Sequence, residues 1–124
     1  MQERSHINQL HLQRIKQEAN THLPVFAMHP GTHQGAQVAL HFFEPRYKIL
    51  IRRCWEGNKR FLFCATTPRE GARAVVVNTH TARFLSDGRA NIVGTGEQEV
   101  VLGRTWIEEG TGGLVYSTVD TLDA

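Results

Sequence analysis

A mainly β (α+β) domain, with six or seven strands in a strongly twisted or barrel-like sheet and one internal helix, is what the sequence predicts. Three observations carry that reading. Beyond Gly57 the apolar clusters are short, rich in Val, Thr, Phe and Ile, and separated by turn signals. The stretch from Pro45 to Glu56 instead carries its apolar residues at helical spacing between a proline and a glycine. Finally, 124 residues, 40% of them apolar, supply roughly fifty side chains for a core, enough for one domain and too few for two.

Residues 1–22 are polar, lack Pro and Gly, and place Leu12, Ile15 and Ala19 at helical spacing. They predict an N-terminal helix with a thin apolar stripe, a connection that packs weakly on the domain or on a neighbouring molecule. The β domain is expected over 23–124. Leu23-Pro24-Val25-Phe26 reads as a first strand whose proline sits near the start, where no ladder donor is needed. His29-Pro30-Gly31-Thr32-His33-Gln34-Gly35 is punctuated as an irregular connection before a second strand near Gln37 to His41.

The helix is the best-specified element, spanning about 45–56. Pro45 suits its first turn, and Gly57 is placed to end it in a left-handed conformation. Tyr47, Leu50, Ile51, Cys54 and Trp55 fall at i, i+3, i+4, i+7 and i+8, which is one apolar face. Glu44 at the start and Arg52 and Arg53 near the end complement the helix dipole. Ile49 lies off the face and is expected to be partly exposed or to touch a second element.

Strands are then expected at Phe61–Ala65, Ala74–Phe84, Arg89–Gly94, Val100–Ile107 and Leu114–Val119. Ser86-Asp87-Gly88 is a tight hairpin signal, because Asp-Gly supplies positive φ at little cost. Gly94-Thr95-Gly96 and Gly110-Thr111-Gly112-Gly113 read as β-turns, since neither precedes a helix with the Lys-Ser/Thr that a phosphate loop requires. Val100, Leu102, Arg104 and Trp106 would share one strand face, with Val101, Gly103, Thr105 and Ile107 on the other.

Composition excludes several function classes. Lys plus Arg at 14 against Asp plus Glu at 12 leave a formal charge of +2, whereas a dedicated nucleic-acid module is usually more one-sided. The longest apolar run, Phe61 to Ala65, falls far short of the roughly twenty residues that span a bilayer. The first residues are polar and contain no apolar h-region, so the expected setting is intracellular, in the cytoplasm. Cys54 and Cys64 are too few for a disulfide framework and match no paired zinc knuckle, so both read as buried thiols. G-x-x-x-x-G-K-[ST], H-E-x-x-H and G-x-S-x-G are all missing, and no enzyme activity or cofactor is expected.

Leu40-His41-Phe42-Phe43-Glu44-Pro45-Arg46-Tyr47, followed by Leu50-Ile51 and Cys54, resembles the signature of the Lon N-terminal domain family. Leu23-Pro24-Val25-Phe26 upstream and Phe84-Leu85-Ser86-Asp87-Gly88-Arg89 downstream fall in the order and approximate spacing of that family, so the resemblance covers about residues 23–120. The wording, with Ile51-Arg52-Arg53-Cys54, Lys59-Arg60-Phe61 and Phe26-Ala27-Met28, is especially similar to the Lon-type domain that follows a RING finger in eukaryotic ubiquitin ligases. The resemblance implies a PUA-like, six-stranded pseudo-barrel with one internal helix, used to recognise substrates or partners for degradation. The ATPase, peptidase or RING modules that carry the family's chemistry have no counterpart here, which implies an excised domain or a stand-alone relative. Two departures stand out: His33-Gln34-Gly35 where the family often has Phe-Pro-Gly, and Glu99 where it often has a basic residue.

Read from the residues themselves, the signature is mainly structural. Phe42 and Phe43 point to opposite sides of a continuing strand, so one enters the core while the other covers a flank or lines a groove. Glu44, Pro45, Arg46 and Tyr47 start the helix, with Glu44 and Arg46 satisfying orphan amides or pairing with each other; Asp87 and Gly88 shape the hairpin. Met28, Phe42, Phe43 and Trp106 are the candidate surface for exposed polypeptide clients or degradation-system partners, since flexible and aromatic side chains suit adaptable contact. Self-association is open. The alternative is a PUA-like RNA-binding module using Arg52, Arg53, Lys59 and Arg60. His29 and His33 stand four apart, but Pro30 and Gly31 argue against the helix that would turn them into a metal pair, so no metal is expected. His41 reads as a hydrogen-bonded, half-buried residue rather than an acid or base.

Overall fold

The structure, a computed structural model, describes residues 22–121, and the helix expected over 1–22 lies outside them apart from His22. The elements follow as β1 (His22–Ala27), β2 (Gln37–Phe42), α1 (Pro45–Glu56), β3 (Arg60–Cys64), β4 (Arg73–Phe84), β5 (Ala90–Ile107) and β6 (Val115–Thr121). Hydrogen bonding runs β2-β5-β4-β3-β1-β6, and a further β5–β6 ladder closes β1, β3, β4, β5 and β6 into a ring. All pairings are antiparallel except β1 with β3. The sheet is thus the six-stranded twisted pseudo-barrel that the sequence predicts, with β2 attached outside the ring along the first part of β5.

Alternation along the strands sorts the apolar residues into two cores. On β3, Phe61 and Phe63 join one cluster while Leu62 and Cys64 join the other, so this strand is buried on both faces. The first cluster gathers Phe26, Phe42, Phe61 and Phe63 from the strands and receives Tyr47, Leu50, Ile51 and Cys54 from α1. The second, with Leu23, Val25, Leu62, Ala74, Val76, Val100 and Leu102, draws mostly on strands of the ring. Pro24 fits β1 because pairing with β3 begins only at Val25.

Helix α1 occupies the expected residues, but its ending differs from expectation. Gly57 has φ −113°, so it is not left-handed; the positive φ falls on Lys59, at 68°. Both Gly57 N–H and Lys59 N–H donate to Cys54 O, at 3.1 and 2.9 Å, while Lys59 Nζ bonds Trp55 O at 2.7 Å and lies over the Trp55 ring. These contacts hold a side-chain-bearing residue in a conformation that glycine usually takes.

The larger correction concerns β5. Gly94-Thr95-Gly96 is not a turn, and the two strands expected around it are one strand of 18 residues. The glycines answer a tertiary need: a Cβ on Gly94 would come within 2.5 Å of Asn78 O, and one on Gly96 would collide with His33 O. Register shifts in β4 at Val76/Val77 and Thr79/Thr81 bend the pair there. A third shift, between Leu102 and Thr105, breaks the expected two-face alternation: Val100 and Leu102 are buried, Gly103 is buried too, and Trp106 is half-buried beside β6. The hairpin at Ser86-Asp87-Gly88 and the turn at Gly110–Gly113 form as expected, with positive φ at Gly88, Gly110, Gly112 and Gly113.

Candidate functional site

Helix α1 lies across the first core cluster, and its N-terminal half faces the tip of the β4–β5 hairpin. Lys48 Nζ ties the two together by donating to Asp87 O at 3.0 Å. Between them opens a groove of about 690 Å³, lined on the helix side by Ile49, Arg52 and Trp55 and on the hairpin side by Phe84 and Leu85. Phe84 and Leu85 remain 40% and 38% exposed, the last residues before the tight turn, where no further strand comes to cover them. Ile49 packs partly on the core and partly lines this groove, which meets the expectation of a second contact. The trough also takes in Lys48, Glu56 and Asp87, so two large exposed apolar side chains lie beside charged ones, an arrangement that suits the burial of apolar groups from a partner within a polar rim.

The signature residues build this corner. Phe42 pairs across β5 with Ala90, which in turn pairs with Phe84, so the end of β2 and the hairpin base lie at one end of the sheet. Phe42 is fully buried; as a core residue it cannot present its ring to a partner, and it leaves the candidate surface. Phe43, one residue on, turns outward, is 59% exposed and stacks on His41. Pro45 occupies the first turn, and Tyr47 packs edge-on against Phe26. Glu44 makes no side-chain cap; its carboxylate pairs with Arg46 at 3.1 Å while its carbonyl accepts from Tyr47 and Lys48 N–H. Asp87 accepts from the backbone and side chain of Arg89, and those hydrogen bonds hold its carboxyl below the usual range.

The remaining candidates are not brought together. Met28 donates its N–H to Cys64 O, near the beginning of β4, whereas Phe84 ends that strand; β4 separates the two. Trp106 lies on the β5–β6 flank, stacked on Tyr116 with the Arg104 guanidinium 4.6 Å above its ring. His41 is exposed, not half-buried, and bonds Asn91 Oδ1 at 2.7 Å. Sequence reading gives Trp55 to the apolar helix face and Phe84 and Leu85 to the downstream stretch, none of them to the site; the structure leaves Trp55 only half-buried, in the groove. The available signal was two large apolar residues directly before an Asp-Gly turn.

The basic cluster is dispersed into partnered side chains. Arg53 forms a two-pronged pair with Glu108, at 2.8 and 3.0 Å, and also donates to Tyr116 Oη. Arg60 does the same with Glu97, Arg52 stands 3.5 Å from Glu56, and Lys59 is turned onto Trp55. These guanidinium hydrogen bonds push Glu97 and Glu108 below the ordinary carboxylate range. The thiols Cys54 and Cys64 are both free and buried, and burial pushes the Cys54 thiol up. Among the described residues, no group of three or more His, Cys, Asp or Glu side chains could hold a metal ion, and no helix is long and apolar enough to cross a membrane.

Fold and groove together define a helix-backed β pseudo-barrel with a surface trough that exposes Phe84 and Leu85. No family model matches the sequence. The structure is similar to the crystal structure of a Lon N-terminal domain protein from Xanthomonas campestris, at 26% identity and a TM-score of 0.67, covering 81% of this chain and 59% of that one. It is also similar to the N-terminal domain of the Lon protease of the Mycobacterium avium complex, at 14% identity and a TM-score of 0.65, covering 83% of this chain and 55% of that one. The chain spans a little over half the length of each. The fold is thus that of Lon N-terminal domain proteins, and the Leu40-to-Tyr47 stretch resembles the signature of that family.

Proposed function

We propose that the chain is the non-catalytic recognition domain of a Lon-type degradation factor, either an ATP-dependent protease or a RING-type ubiquitin ligase. The groove between α1 and the β4–β5 hairpin takes apolar side chains of exposed polypeptide. The observation that carries this reading is the pair Phe84 and Leu85, left exposed opposite Ile49 and Trp55. The family likeness adds support of its own. The test is calorimetric titration with a reduced, carboxymethylated protein that stays unfolded in buffer. Covering the exposed parts of Phe84 and Leu85 is worth about 1 kcal/mol each, so Phe84→Ser with Leu85→Ser should weaken binding at least about tenfold. About three-fifths of each side chain is buried in the free domain, so the double variant should also lose roughly 2 kcal/mol of stability, on the order of 10 °C in melting temperature, and affinity is compared well below that transition. Unchanged affinity in a folded double variant refutes the groove as the recognition surface.

A further inference from the structure

The free edge of β2 offers a second, chemically distinct feature. Among the described residues β2 pairs only with β5. The phase of that ladder is fixed at its start, where Gly96 N–H donates to Ala36 O at 2.9 Å. Antiparallel ladders alternate, so Val38, Leu40 and Phe42 direct their N–H and C=O toward β5, and Gln37, Ala39 and His41 direct theirs away. The far side of β5 agrees: Leu85 N–H bonds Arg89 O, which puts the odd-numbered residues 89, 91 and 93 on the β4 ladder and leaves 90, 92 and 94 for β2. Three outward N–H and C=O pairs therefore lie along six residues of regular strand.

Protein edges are normally guarded by Lys, Pro, a bulge or an inward charge. Gln37-Val38-Ala39-Leu40-His41-Phe42 has none of these within the strand, and its register is unbroken. The side chains of Gln37, Ala39 and His41 are exposed, and Ala39 at the centre leaves room for close approach. On the opposite face Leu40 is only partly covered by the core. Only an extended backbone matches outward donors and acceptors at every second residue, and a partner side chain beside Leu40 would complete its burial.

We infer that β2 captures an extended segment of an unfolded protein as an added strand, with apolar residues at alternate positions facing Leu40. The inference rests on the polypeptide-recognition reading and supplies a backbone-reading mode that the groove lacks. A second copy of the chain is a poorer occupant, because pairing two six-residue edges buries far less than the about 800 Å² per partner of a stable dimer.

The probe is a fluorescein-labelled peptide of about ten residues alternating Val and Thr, read by anisotropy, with variants N-methylated at all Thr or at all Val nitrogens. Strand addition predicts that one methylation phase abolishes binding and the other leaves it intact: the Thr phase for antiparallel addition, the Val phase for parallel. Ala39→Pro removes an outward N–H without touching the β5 ladder, and should weaken binding by about tenfold or more at nearly unchanged melting temperature. The peptide arm needs no variant and decides the matter if Ala39→Pro fails to fold. Binding that ignores both methylation phases overturns the inference and leaves polypeptide recognition standing. So does a peptide that fails to bind while the carboxymethylated protein still does. If neither ligand binds, both readings fall. Self-association abolished by Ala39→Pro, with no peptide competition, overturns the inference in favour of a second copy.

Discussion

Replacing Phe26 with alanine removes the ring on which three elements converge. Phe26 is buried and packs edge-on against Phe42 of β2, Tyr47 of α1 and Phe63 of β3, at centroid separations of 4.8, 4.7 and 5.1 Å. A buried Phe→Ala change costs about 3–5 kcal/mol through lost transfer energy and the cavity left behind, and each aromatic pair adds about 0.5–1.5 kcal/mol beyond area. With these three pairs and a fourth, edge-on to Phe61 at 6.4 Å, the upper part of the range applies, about 4–5 kcal/mol. For a domain of this size that lowers the melting temperature by roughly 16–30 °C. Urea unfolding followed by tryptophan fluorescence measures it, with Trp55 on α1 and Trp106 on β5 as reporters outside the ring cluster. Phe26→Leu keeps most of the volume and should lose less than about half as much. A loss below about 1.5 kcal/mol for Phe26→Ala would show that α1 is held on the sheet by something other than this cluster. That outcome would also remove the reason for treating the helical wall of the groove as rigid.

Thr111 is buried, donates to Glu108 O at 2.6 Å and accepts from Leu114 N–H at 3.0 Å; Thr111→Val orphans both groups and should cost about 2 kcal/mol in chemical denaturation. Glu44→Ala should cost less than about 1 kcal/mol, because the carboxylate makes only a partly exposed pair with Arg46 and caps nothing; a larger loss would contradict the observed geometry. Glu97 and Glu108 have folded values depressed by Arg60 and Arg53, so these pairs stabilise above the unfolded value of about 4.3 and lose their contribution as pH falls through the folded values. The urea midpoint should therefore fall more steeply below about pH 5 in the wild type than in the Glu97→Gln, Glu108→Gln double variant, and equal slopes would count against the pairs. Iodoacetamide should label neither Cys54 nor Cys64 in the native state and both after unfolding, as read by intact mass.

How far the sequence could be read depended on whether the determinant was local. Helix α1 was legible because Pro45 and the spacing of Tyr47, Leu50, Ile51 and Cys54 are contained within the segment, and the structure buries those four residues. The Gly94-Thr95-Gly96 stretch was not, because what requires small residues there is the approach of Asn78 and His33, both far along the chain. The helix end shows the same limit: Gly57 carried the usual terminating signal, yet the Lys59–Trp55 contact moved the positive φ two residues on. At the candidate site, alternation correctly divided Phe42 from Phe43 but could not say which one faced inward. Phe84 and Leu85 entered the reading only as part of the downstream stretch and not as site residues, because their exposure is a property of the assembled sheet rather than of the two residues.

The closure of the ring by β6 bears on when this domain can acquire its structure during synthesis. Among the described residues, His22, Leu23 and Pro24 pair only with β6, and their partners Thr118, Ser117 and Tyr116 leave the ribosome nearly a hundred residues later. Until then β1 and the last part of β5 are left with an open side each, carrying Leu23, Val25 and Leu102. Contacts so distant along the chain close slowly, on the millisecond-to-second scale of all-β domains. The nascent chain therefore passes through an interval in which it displays the same kind of unpaired, apolar strand that the finished domain is proposed to bind.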